Sequence, residues 1–418
     1  MGEEASVGQL ARELLEEHEA AWWAGRSELP DLGRTYTPRE QQARGKELGL
    51  LVNQLLAEMR HPPATANDRE VLEQRVTLSG RAFARSSLGV DDAHMDLLLQ
   101  GGFTPCAREF AERARRFDPR MPFEDIVQAS RNVWTMNGLQ MMLGLPLRVT
   151  PSVFGYSMLY PYTDNLLDDA GVTEDKKVLA SERFGRRIAG EALAPADDHE
   201  KKLWALFSEI ESEHRRDESP RVYESLEGIH RAQTRSVLLM RPDEPPYAVD
   251  VLGISLEKGG ASVLADGYLV AGNLTRSQAA HFFGLGALLQ LADDLQDVNS
   301  DSRSGTLTVF SQAAQRWPLD RLVSRLLHFR AYVLAEFSPG DAPGAARLGD
   351  LMRGASLQLI LGAVGTAPKL FTRQYVRELE AFSPFRFREL VRQRGRLERQ
   401  RVSFLGLAAS ALENASSR

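Results

Sequence analysis

The chain has 418 residues, 43% of them hydrophobic and 26% charged, with a formal net charge of −6. That length and apolar content support a full buried core, and the acidic balance argues against nucleic acid as the main partner. A single cysteine, Cys106, excludes an intrachain disulfide and a cysteine-based zinc site, and fits a reducing cytoplasm.

The opening MGEEASVGQ is acidic and lacks the basic-then-apolar order of a signal peptide. Leu10, Leu14, Leu15, His18 and Trp22 then recur at helical stride, as do Leu48, Leu51, Leu55 and Met59. The segment 60–72, with Pro62-Pro63, is expected to be a loop. Asp91, Asp92 and Asp96 read as acids in the first turn of a helix. Helical periodicity resumes around 125–145, 152–170, 178–190, 200–214, 222–240, 250–271, 276–300, 319–337 and 345–365. Prolines 119, 146, 195, 242, 318, 339 and 343 fall between these stretches, and 338–346 is expected to be a second loop. Alternating strand patterns are nearly absent, so the fold is expected to be all-α. Residues 1–120 are expected to form extra helices packed on a core domain spanning 121–418. No run of about 18 apolar residues appears, so no spanning helix is expected.

Two acidic clusters stand out. In the second, Asp293, Asp297 and Asp301 are spaced i, i+4, i+8, which puts them on one helix face, with Asp294 one position round. Like charges at that spacing destabilise a helix, and no Lys or Arg occurs between 277 and 302 to separate them. Magnesium, which takes carboxylate oxygens and keeps water and phosphate oxygens as further ligands, is the obvious compensating charge. In the first cluster Asp164 and Asp168 share a face and Asp169 is adjacent. Phe154, Tyr156, Tyr160 and Tyr162 precede it, an aromatic wall leading to a carboxylate rim. That combination suits a ligand with an anionic head and a long apolar tail.

These residues resemble the class I isoprenoid synthases: terpene cyclases, trans-prenyl diphosphate synthases and squalene/phytoene synthases. Asp164-x-x-x-Asp168-Asp169 is similar to the family's first aspartate-rich motif. Gln290-Leu-Ala-Asp293-Asp294-Leu-Gln-Asp297 is similar to the second motif of prenyl synthases, and Asp293, Asp297 and Asp301 to the terpene-cyclase version. The run from Glu257-Lys258 through Gly284 and Gly286 to Gln290 adds to the likeness, which covers roughly 125–310 and looks closest to bacterial large terpene synthases. The resemblance implies a single large helical bundle with a central cavity, and three magnesium ions held by Asp164, Asp168, Asp169, Asp293, Asp294, Asp297 and Asp301. It implies that Asp164, Asp168, Asp293 and Asp297 are catalytic, and that Arg231, Arg235, Lys258 and Arg386, with Arg388, hold diphosphate. Phe154, Tyr156, Tyr160 and Gln290 would line the substrate cavity. The implied partners are a small-molecule prenyl diphosphate, at most a peripheral membrane contact, and a second copy in a homodimer.

Elongating prenyl synthases place an Arg-Arg pair soon after the first motif, and here Lys176-Lys177 and Arg186-Arg187 lack that context. Squalene-type enzymes carry an Arg inside the second motif, where Ala292-Asp293 stands here. Cyclisation or elimination of one prenyl diphosphate is therefore the expected reaction. Elongation or head-to-head condensation is the alternative, followed by a magnesium-dependent phosphohydrolase or a non-catalytic lipid-binding protein. Arg231 and Arg235 also admit a plainer role, pairing with Glu224 or Glu227 on an exposed face.

Overall fold

A computed structural model of the chain describes residues 6–60, 65–168, 171–240, 248–335 and 344–399; of residues 59, 60, 66, 69, 73, 164–168, 174 and 398 it describes the backbone alone. The chain is all-α, with no strand among the described residues. The helices are α1 (Val7–Ala24), α2 (Pro38–Arg60), α3 (Ala66–Phe83), α4 (Asp92–Leu99), α5 (Phe103–Phe117) and α6 (Phe123–Met142). Then come α7 (Pro151–Asp168), α8 (Glu174–Ile188), α9 (Asp198–Glu213), α10 (Pro220–Ser236), α11 (Val251–Ala271) and α12 (Arg276–Gln296). The last are α13 (Val298–Ser304), α14 (Val309–Ala314), α15 (Asp320–Ala335), α16 (Ala345–Thr366), α17 (Arg373–Glu380) and α18 (Phe387–Arg399). Among the described residues no helix is long and apolar enough to cross a membrane.

The helix starts follow from local chemistry. Ser6, Asp91, Asp197, Asp250 and Thr372 each accept from a backbone N–H in the first turn of the helix they precede. Thr65 with Asp68 and Thr275 with Gln278 close reciprocal capping boxes. The Thr65 box starts α3 at Ala66, inside the segment expected to be a loop: Pro62-Pro63 break the chain locally, and the Thr65 cap just after them restarts the helix. Of the second expected loop, 338–346, residues 338–343 lie outside the described residues, and α16 already begins at Ala345.

The chain divides into two compact units, each assembled from two stretches. The first comprises residues 1–30 and 131–345, the second 31–130 and 346–418. This differs from the single bundle, and from the division at 120, expected from sequence. Local periodicity marks helices but carries no record of which distant stretches pair, so the crossing of the chain between units was invisible.

In the first unit α11 is the central helix. It is buried on nearly every side from Val251 to Leu269, as a helix apolar all round must be. Helices α12, α10, α1 and α7 pack against it, with α9 behind α7 and α15 behind α12. Two glycines set the approach of α11 to α12. A Cβ on Gly286 would collide with the Gly259 carbonyl, and one on Gly259 with the Gly286 carbonyl. Phe283 lies over Gly260 and Phe282 over Gly267 in the same contact. His18 of α1 sits among Phe283 of α12 and Phe329 and Tyr332 of α15.

The second unit is built on α2. Leu48, Leu51, Val52, Leu55 and Leu56 form a buried stripe with Phe385 and Leu397, the latter on α18. The buried Gln41 donates from Nε2 to the carbonyls of Glu380 (2.6 Å) and Ser383 (3.0 Å), tying α2 to the segment that leads into α18.

Candidate functional site: a carboxylate row beside Lys258

The second acidic cluster sits where α12 gives way to α13. Asp297 has φ −94° and ψ 5°, so the helix is distorted there. Its N–H nevertheless donates to the Asp293 carbonyl (2.9 Å), and the Asp301 N–H donates to the Asp297 carbonyl (2.9 Å). The first bond closes α12 and the second opens α13, and the carboxyls of Asp293, Asp297 and Asp301 stay near enough to act on one another.

The electrostatics bind the row together. Burial lifts the Asp293 carboxyl above the usual carboxylate range, and repulsion from Asp297 adds to this, against the pull of Lys258 and Arg131. Asp293 is exposed to solvent, and its shift comes from the protein packed round it. Asp301 is pushed up to about 6 by burial and by the charges of Asp297 and Asp293, with Lys258 opposing. Lys258, half-buried on α11, thus acts on both ends of the row.

Asp294 plays a different part. It is buried and turned toward α11, where Gln290 Nε2 donates to its Oδ1 (2.8 Å) and the Ser255 hydroxyl favours its charged form. Burial outweighs both and pushes Asp294 up to about 7. Gln290, expected in a substrate cavity, clamps Asp294, with its Cβ packed toward Gly259.

One turn and two turns beyond Lys258 on α11 lie Ser262 and Asp266. The Ser262 hydroxyl pairs with the Tyr160 hydroxyl (2.6 Å). Tyr160 meets Tyr156 edge-on, with ring centroids 5.8 Å apart. Both tyrosines line a cavity of about 40 Å³ with Thr163, Phe184, His230 and Gln233. That volume holds water but is far below the roughly 300 Å³ of the smallest usual ligand pockets. Asp266 is wholly buried; its Oδ1 accepts from Asn132 Nδ2 (3.1 Å), its Oδ2 has no hydrogen-bond partner among the described residues, and burial raises it to about 8. The same Asn132 amide reaches the Ser157 hydroxyl (3.2 Å).

The other residues singled out from sequence fall as follows. Phe154 is a fully buried core side chain and does not line this cavity. Arg231 is exposed and 3.8 Å from Glu227, the surface pairing that the plainer role anticipated. Arg235 pairs with Glu257 (2.6 Å) and lies 3.9 Å from Asp250. Arg386 belongs to the second unit and pairs there with Glu380 (2.6 Å). Asp164 and Asp168 stand in the last turn of α7, but their side chains, and Asp169 entirely, lie outside the described residues. Arg131, Ser255, Asn132 and Asp266 were missed. Ser262 and Asp266 were findable, since they continue the stride of Lys258 at i+4 and i+8; nothing near Arg131 in the sequence marks it.

Among the described residues no three acidic, histidine or cysteine side chains close round one point as a metal site. The row offers oxygen donors strung along about 12 Å of helix. Its donor chemistry still fits magnesium: hard carboxylate oxygens, destabilised by burial and by one another, which a divalent cation relieves. No protein-family model matches the chain, and comparison with curated proteins and with solved structures likewise finds no match.

Proposed function

We propose that the protein is a magnesium-dependent class I terpene synthase. It would ionise a linear prenyl diphosphate and release diphosphate as the carbocation cyclises or eliminates a proton. The observation that carries the proposal is the row Asp293, Asp297, Asp301: mutually repelling carboxylates whose charge Lys258 opposes. Magnesium, when bound, supplies the positive charge that makes diphosphate a leaving group. Asp293, Asp297 and Asp301 would hold it from α12 and α13, and Asp164 and Asp168 from the end of α7.

Lys258 and Arg131 are the cations whose fields already reach Asp293, and they would hold the departing diphosphate. Arg235, committed to Glu257, would serve by keeping that carboxylate away from the anion. Tyr156 and Tyr160 would turn ring faces to the cation, each worth ~1–2 kcal/mol when desolvated. The cavity they line must widen to admit a prenyl chain, so opening between α7, α8 and α10 belongs to the proposed cycle.

The test is incubation with farnesyl, geranylgeranyl and geranylfarnesyl diphosphates, with magnesium or with EDTA, and mass spectrometry of the extract. A hydrocarbon or alcohol appearing with magnesium alone is the expected result. A folded protein that yields no product from any chain length overturns the proposal. A longer diphosphate formed only when isopentenyl diphosphate is added would assign chain elongation instead. Asp168→Ala and Asp293→Ala should each abolish turnover without unfolding the protein, and retained activity removes that residue from the site.

A further inference from the structure

The second unit carries a recess of about 320 Å³ that has no part in the proposed reaction. One face of α2 (Gln41, Gln42, Gly45, Lys46) and the start of α18 (Arg388, Glu389, Arg392), with Arg386 just before it, form its lining. Four cations against one carboxylate is an unusual concentration in a chain of net charge −6. The volume is eight times that of the tyrosine-lined cavity and reaches the lower end of the range for small-molecule sites.

The charges divide into committed and uncommitted ones. Glu389 is neutralised within its own helix: Oε1 accepts from Arg392 (2.7 Å) and from Gln393 Nε2 (2.5 Å). Arg386 is held by Glu380, which also accepts from the Phe387 N–H (2.8 Å). Lys46 and Arg388 form no ion pair or hydrogen bond among the described residues, although both are exposed at the recess. The floor is fixed. Gln41 is pinned by its two carbonyl acceptors, and Gly45 lets α18 come close, since a Cβ there would lie 3.1 Å from Glu389 Cγ. A rigid floor under two unspent cations, with two paired arginines behind them, suits an anion bearing at least two charges.

We propose that this recess is a binding site for a small molecule carrying a diphosphate group, with Lys46 and Arg388 as its primary contacts. A concave volume of this size with two free cations favours a compact anion over a nucleic acid, which needs a long basic track. The site depends on neither magnesium nor the carboxylate row, so its failure and that of the proposed function are separable.

The test is calorimetric titration of the full chain at low salt in EDTA, which removes any magnesium-dependent binding by the aspartates. Inorganic pyrophosphate is one probe and a nucleoside diphosphate the other. Saturable binding of pyrophosphate is expected, weakened by salt. Lys46→Ala with Arg388→Ala should weaken it by about tenfold or more, at unchanged thermal stability because both side chains are exposed. Equal affinity for the two probes would assign the site to the diphosphate alone, and tighter binding of the nucleoside diphosphate would place its organic part in the recess. Absence of saturable binding of either probe overturns the proposal, and so does wild-type affinity in the double variant.

Discussion

Asp266→Asn should make the first unit more stable above neutral pH, by an amount that grows with pH. The wild-type carboxyl is buried at 0% exposure, accepts one hydrogen bond among the described residues, from Asn132, and is raised from 3.8 to about 8. In the unfolded chain it ionises near its ordinary value. Between those two pKa values the native state holds one proton more than the unfolded state, so stability falls as pH rises. Asp266 therefore contributes its full stability only below about pH 4 and loses it progressively up to about pH 8. The slope is about 1.4 kcal/mol per pH unit, or about 4 kcal/mol between pH 5 and pH 8 as an upper figure. Asn keeps the acceptor for Asn132 and has no proton to lose. All five tryptophans, 22, 23, 134, 204 and 317, lie in the first unit, so their fluorescence reports its unfolding alone. Urea titrations of wild type and variant from pH 5 to pH 8 should show the difference in stability tilting steadily toward the variant. A difference that stays flat with pH would mean that Asp266 is ionised in the core, and the account of this network would be wrong.

Gly286→Ala should force α11 and α12 apart at a contact where only backbone can yield, costing about 3 kcal/mol and lowering the Tm on the order of 10 °C by calorimetry; an unchanged Tm would deny the close crossing. Gln290→Ala strips the buried Asp294 of its amide donor and should cost about 1–3 kcal/mol in denaturant titration. Because that donor favours the ionised form, its removal lifts Asp294 further above its ordinary value, and the cost should be larger above pH 7 than below it. Magnesium at a hundred times its dissociation constant should stabilise the wild-type protein by about 2.7 kcal/mol, and Asp297→Asn should lose most of that gain; equal gains in both proteins would place the ion elsewhere.

The helical class was legible because its signal is local. Apolar residues at three-to-four residue stride, breakers between them and capping residues before them all act within a turn or two. Leu48, Leu51 and Leu55 are buried on α2 as their spacing implied, and Asp91 caps α4 as its acids implied. Where one local signal masked another, as Pro62-Pro63 hid the Thr65 cap, the expectation shifted by a few residues.

The i, i+4, i+8 order of Asp293, Asp297 and Asp301 was likewise written in the sequence, and the three carboxyls still act on one another across the junction of α12 and α13. What surrounds that row was not written there. Lys258 reaches the row only because Gly259 and Gly286 let two helices meet at backbone distance. Asp294, one residue from Asp293, turns the other way and becomes a buried partner of Gln290 and Ser255. Arg231 and Arg235 were equal candidates in the sequence, and their acidic neighbours in space separate them from Lys258. The sequence by itself determined the helices, their caps and the spacing of the acids, since each depends on residues a few positions apart. Only the tertiary structure decided which acids act on one another, which cations are already spent, and that residues 31–130 and 346–418 form a unit of their own, because burial and charge pairing depend on which helices meet and not on spacing along one of them.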